Sequence, residues 1–247
     1  MQSWIKRFGL VAAVLLLVGV GAFVAWAASA AAPMPEAMLA LEDGPDVAVE
    51  SGRWLAFRPA SHAPTTGLIL YPGGRVDPRS YAPAAREIAS TGYWVIIVPM
   101  PLNLAVFGPD RATQVQSAYP QVTHWAVGGH SLGGAMAARY ALRYPDVVQG
   151  LVLWAAYPAS TDDLSGQHLA VTSIYGTEDG LATVDKIRTS EPLLPQATTW
   201  VGIEGGNHAQ FGWYGPQSGD KPAALDRLAQ QQAVVASTVA LLHRLAE

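Results

Sequence analysis

Ser131 stands in Gly129-His130-Ser131-Leu132-Gly133, between an apolar run and the alanine-rich stretch "LGGAMAARYALRYP". G-x-S-x-G at a strand-to-helix turn holds its serine in a strained backbone conformation, with glycines where side chains would strike the neighbouring strand and helix. The turn lifts the hydroxyl clear of the backbone. It also aims the amide of the next residue, Leu132, and the positive end of the helix at an oxygen that gains charge. The chemistry that fits is nucleophilic attack on a carbonyl. A dinucleotide site does not fit, because "GGHSLGG" lacks the G-x-G-x-x-G spacing and falls in mid-chain.

A serine hydroxyl needs a base, and the base needs a carboxylate to set its tautomer and stabilise its charge. Of the six histidines, His62, His124 and His168 precede strands, His243 lies on the closing helix, and His130 points away from the hydroxyl beside it. His208, in "IEGGNHAQFG", follows the last strand and is the expected base. Asp179, in "SIYGTEDGLAT", is the favoured acid; Asp162, Asp163 and Glu178 are its rivals. The order Ser…Asp…His matches the hydrolase pattern. In "YPGGRVDP", Gly74 is the candidate second oxyanion donor beside Leu132, since glycine lets the backbone approach substrate closely. Arg75 could bind a substrate carboxylate or phosphate, or pair with Asp77. Tyr157 is a candidate pocket residue, with Asn103, Phe107, Trp213 and Tyr214 also following strand ends.

These residues need a scaffold. "GLILYPGG", "YWVIIVPM", "HWAVGGHS", "GLVLWAAYP", "LAVTSIYG" and "TTWVGIEGG" read as apolar strands. "VAVE" and "RWLAF" flank a turn and predict an antiparallel hairpin. "RSYAPAAREIASTG", "DRATQVQSAYP", the stretch after Ser131 and "AALDRLAQQQAVVASTVALLHRLAE" read as helices. Apolar strands alternating with helices predict an α/β fold: a mostly parallel central sheet with helices on both faces, and ligands at the carboxyl ends of the strands. Residues 157–169 leave no room for a large lid domain, so an open site and a small or soluble substrate are expected.

The chain has 247 residues and a net charge of −4, which gives no basic surface for nucleic acid. It has no cysteine, so disulfides and thiolate metal sites are excluded; no metal constellation, phosphate loop or cofactor is expected. Lys6 and Arg7 precede an apolar run from Leu10 to Trp26, extended by alanines to Ala32. Its length favours a membrane anchor, while "AWA" and "ASA" offer cleavage-like spacing for a signal segment. Either reading leaves the remainder outside the cytoplasm, anchored in the first case and secreted or periplasmic in the second. The expected organisation is an N-terminal anchor or signal segment (1–32), a linker (33–46) and a catalytic domain (47–247).

The four motifs "YPGGRVDPRSY", "VGGHSLGG", "YGTEDG" and "GGNHAQFG" resemble those of the α/β-hydrolase superfamily, nearest its compact dienelactone-hydrolase-like bacterial members, the fold-5 α/β hydrolases. The resemblance covers roughly residues 47–246 and implies a Ser131, Asp179, His208 triad. Dienelactone hydrolase proper carries a cysteine where Ser131 stands, and Pro72 replaces the usual histidine before the oxyanion glycines. The implied activity is two-step hydrolysis of an ester-like small molecule, of carboxylesterase or lactonase type, through an acyl-enzyme. A serine acyltransferase sharing the site and a non-catalytic, membrane-tethered binding module are the alternatives.

Overall fold

A hairpin of β1 (Val47–Ser51) and β2 (Leu55–Pro59) opens the sheet. Six strands without an Asp, Glu, Lys or Arg follow: β3 (Thr66–Tyr71), β4 (Trp94–Ile97), β5 (His124–His130), β6 (Gly150–Trp154), β7 (Ala170–Gly176) and β8 (Thr199–Ile203). The computed structural model describes residues 2–247, with side chains from residue 7 onward. The strand order is β1-β2-β4-β3-β5-β6-β7-β8, antiparallel through β1, β2 and β4 and parallel from β4 to β8. The chain leaves β3 toward β4 on one side and returns through β5 on the other. That reversal opens a crevice at the carboxyl ends of β3 and β5, where open α/β sheets bind ligands.

The helices are α1 (Gln2–Ala28), α2 (Pro35–Leu39), α3 (Ala82–Ser90), α4 (Ala112–Ala118), α5 (Leu132–Arg143), α6 (Val184–Thr189) and α7 (Arg227–Ala246). Alternation along the strands sorts the core into two layers. Leu68, Leu70, Val95 and Ile97 pack with Ala85 and Ile88 of α3 and Val234 and Leu241 of α7. Ile69, Tyr71, Ile96 and Val127 pack on the other face with Val115 of α4 and Ala137 and Tyr140 of α5. Both faces are therefore covered, which is why the strands read as unbroken apolar runs.

Three details depart from the sequence reading. The closing helix starts at Arg227 rather than in the preceding "AAL", because the Ala224 and Leu225 amides donate to Gly205 O and the Asp226 side chain caps the Ala229 amide. The six-residue α6 was not expected. The segment read as a plain linker contains α2, whose Ala37 is fully buried, and Arg86 Nε donates to Ala40 O at 2.9 Å.

Within α1, the span Arg7–Ala28 contains an 18-residue stretch of mean hydropathy 2.7 and is exposed until the fully buried Ala27. Beyond it the chain is held by the domain. Ala31 bridges Val76, its amide donating to Arg75 O at 2.7 Å, and the Met34 amide donates to Trp213 O at 2.8 Å.

Candidate active site

The turn after β5 is built as G-x-S-x-G requires. Ser131 has φ 53° and ψ −122°, a left-handed conformation that costs about 1–3 kcal/mol for a non-glycine residue. Its amide donates to Trp154 O at 2.9 Å and its carbonyl accepts from Ala135, which fixes the turn between β6 and α5. The flanking glycines are forced by sterics. A Cβ on Gly133 would lie 2.2 Å from Tyr71 O and 2.4 Å from Pro72 O; one on Gly129 would lie 2.6 Å from Tyr71 O and from Gly133 C. Helix α5 thus sits on β3 with no room for a methyl group.

Opposite it, His208 Nδ1 and Asp179 Oδ2 are 2.8 Å apart, both side chains essentially buried. Asp179 Oδ1 accepts the Leu181 and Ala182 amides at 2.7 Å each, so the carboxylate is held on both oxygens. The rival acids are engaged elsewhere. Asp162 pairs with Arg139 at 2.9 Å, Asp163 accepts from the Ser165 amide, and Glu178 faces Lys221 at 3.8 Å. Among the described residues, His208 Nε2 has no hydrogen-bond partner, and His208 and Ser131 line one cavity of about 420 Å³. The serine hydroxyl and this nitrogen are not hydrogen-bonded to each other; such bonds are often loose without substrate and tighten when it binds.

Two supports escaped the sequence reading. Asp220 accepts the Gly180 amide (3.0 Å) and the His208 amide (3.3 Å) on Oδ1, and the Ala209 amide (2.8 Å) on Oδ2, so one carboxylate ties the Asp179 loop to the His208 loop. Its only sequence signal is a turn, "SGDKP". His130, beside the serine, is fully buried: its Nδ1 lies 2.9 Å from Tyr81 Oη, which also accepts the Gly73 amide at 2.9 Å. The other ring nitrogen, Nε2, is buried without a hydrogen-bond partner among the described residues. The ring stacks on Phe211 and lies 4.5 Å from the His208 ring. Burial, and the second imidazole beside it, hold His130 well below its ordinary pKa of 6.5.

The sequence profile described as "Alpha/beta hydrolase family" matches residues 67–232. The chain belongs to the α/β-hydrolase family. A stretch of 113 residues is 34% identical to the pimeloyl-[acyl-carrier protein] methyl ester esterase of Shewanella sp. (strain MR-7), covering 42% of this chain and 41% of that protein, so the match spans less than half of either. In fold, the hydrolase is similar to a protein described as a CIB-like hydrolase from Thermoplasma acidophilum, with TM-score 0.58, 18% identity, and 81% and 100% of the two chains covered. It is also similar to one described as a dienelactone hydrolase from Klebsiella pneumoniae subsp. pneumoniae, with TM-score 0.59, 15% identity, and 77% and 93% covered.

The cavity of this hydrolase is largely apolar, walled by Leu132, Met136, Tyr157, Leu181 and Ala182. Tyr157 lines the same cavity as Ser131. Gly74 reaches the site through Leu132: a Cβ on Gly74 would lie 3.1 Å from Leu132 Cδ2. Among the described residues neither the Gly74 nor the Leu132 amide has a protein acceptor. Arg75 is turned toward α1. Its guanidinium donates to Trp26 O (2.9 Å), Ser29 O (3.0 Å) and Ser29 Oγ (2.8 Å) and lies 4.5 Å above the Trp26 ring, while Asp77 pairs with Arg79. It is bound to the end of α1 rather than to Asp77. Asn103 and Phe107 also face α1, through Ala27 O and the Phe23 ring. No three His, Asp or Glu side chains converge as metal ligands among the described residues.

Two outcomes follow from this packing. Gly133→Ala forces backbone apart and lowers unfolding free energy by about 1–3 kcal/mol or more in urea titration; Gly166→Ala, with open space around it, stays within about 0.5 kcal/mol. His130 takes up a proton on unfolding below about pH 6.5 but not while folded, so it costs the folded state up to about 1.4 kcal/mol per pH unit as pH falls. The stability gap between wild type and His130→Gln should narrow from about pH 7 to pH 5; parallel curves would contradict the buried neutral imidazole.

Proposed function

We propose that the protein is a serine hydrolase of carboxylic esters, acting through Ser131, His208 and Asp179. The observation that carries this reading is the buried Asp179–His208 pair, whose Nε2 has no protein partner and whose histidine lines the same cavity as the strained serine. As substrate enters, His208 Nε2 takes the Ser131 proton while Oγ attacks the ester carbonyl. The Leu132 and Gly74 amides donate to the oxyanion, and Asp179 stabilises the imidazolium. His208 returns the proton to the departing alkoxide, leaving an acyl-serine and an alcohol. Water, deprotonated by His208, then attacks the acyl carbon; the acid leaves and Ser131 regains its proton. The apolar cavity suits an acyl group better than a charged one. The partial likeness to a methyl ester esterase agrees in reaction type.

We also propose that α1 remains as a membrane anchor, with Lys6 and Arg7 on the cytoplasmic side and the catalytic domain (47–247) outside, joined by 33–46. Ala27 is buried and Trp26 and Ser29 hold Arg75, so cleavage at either small-residue site would strip the domain of contacts it uses. Mass spectrometry of the membrane fraction should find the uncleaved chain; a shortened, soluble product would favour the signal segment.

A fluorophosphonate probe should label wild type and not Ser131→Ala, and p-nitrophenyl ester turnover should fall by about 10³-fold or more in Ser131→Ala and His208→Ala. Labelling that ignores Ser131→Ala rejects the serine. Asp220 acts as a positioning residue. Asp220→Ala should lower kcat about 10²-fold with little change in KM, and Asp220→Asn should restore part of it; a change confined to KM would assign Asp220 to binding instead.

A further inference from the structure

The strongest unexplained feature is the junction of α1 with the site. The 22 residues from Arg7 to Ala28 rise about 33 Å, close to the roughly 30 Å of a bilayer's hydrocarbon. With Arg7 at one boundary, the other falls in the last turn, at Trp26, a residue type enriched at membrane interfaces. That turn is clamped by Arg75, by Asn103 and by the buried Ala27. The loop from Leu102 to Phe107 lies against it, the Phe107 ring edge-on to Phe23 at 6.2 Å. This loop exposes three large apolar side chains: Leu102 (37%), Val106 (44%) and Phe107 (51%). They continue the apolar surface of α1 onto the domain at the level where the bilayer ends.

The same loop reaches the site. Leu104 and Leu132 flank Gly74, 3.6 and 3.1 Å from where its Cβ would be. Gly74 lines a second cavity, of about 470 Å³, together with Trp26, Ala31, Leu104 and Tyr214. Its contact with Leu132, which lines the serine's cavity, joins the proposed oxyanion loop to a cavity whose wall includes the end of the anchor.

We propose that the loop 102–107 rests in the outer membrane surface, and that the enzyme takes bilayer-borne esters with a hydrophobic chain, which reach Ser131 past the end of α1. This rests on the serine-hydrolase reading. The occupant of the apolar face is lipid, because the face is continuous with α1 and tied to it through Asn103 and Phe107.

The chain has no cysteine, so single cysteines report cleanly. The full-length protein carrying Phe107→Cys, or Ser61→Cys at the opposite end of the sheet, is labelled with an environment-sensitive fluorophore and reconstituted in phosphatidylcholine vesicles. The 107 probe should shift to the blue and be quenched by lipid with a shallow spin label, and the 61 probe should do neither. A 107 probe that reports water overturns the proposal. In the same vesicles, Val106→Glu/Phe107→Glu should keep p-nitrophenyl acetate turnover within about twofold and lose about tenfold or more on p-nitrophenyl palmitate dissolved in the bilayer. Equal effects on both esters, or none on either, overturn the membrane route while leaving the hydrolase reading intact. Wild type inactive on both esters removes the hydrolase reading and the route with it.

Discussion

The contact on which the site depends is steric: the first turn of α5 meets the end of β3 at a distance only glycine allows. The carbonyls of Tyr71 and Pro72 occupy the space of a Gly133 side chain. This closeness brings the turn after β5 and the Gly73-Gly74 loop after β3 together at the reversal of strand order. It also sets the backbone strain at Ser131, which the Trp154 and Ala135 hydrogen bonds and the buried sheet on either side hold in place. A looser helix would relax the turn and separate it from the Gly73-Gly74 loop.

Around that contact two carboxylates and a phenol each hold more than one partner. Asp179 spends one oxygen on two backbone amides and the other on His208, and Asp220 ties the two loops that carry them. The buried row from the Gly73 amide through Tyr81 to His130 does the same on the other flank, and His130 packs directly on the His208 ring. A neutral His130 is what makes this tolerable, since two adjacent charged imidazoles in a dry site would repel.

The parts legible in the sequence were those governed by local pattern. Unbroken apolar strands announced a covered parallel sheet, and the glycine spacing around Ser131 announced the turn. Strand ends pointed to Asp179 and His208 because topology brings such ends to one edge. What stayed hidden was set by contacts between distant segments. Asp220 is 41 positions from Asp179 and sits in a turn that looks like any other. His130 was dismissed for pointing away from Ser131, although that direction buries it against Tyr81 and His208. Arg75 was given a substrate or Asp77 because nothing nearby in sequence suggests a partner 49 residues upstream. The start of α7 was misread because "AAL" has helical composition, whereas Gly205 holds its amides outside the helix.

The stretch from Ser29 to Met34 has one more bearing on the life of the molecule. Its amides at Ala31 and Met34 and its carbonyl at Ala31 are already engaged by the domain. A processing peptidase grips an extended backbone through those same groups. Once the domain has folded, these backbone groups are no longer open to pairing with a protease.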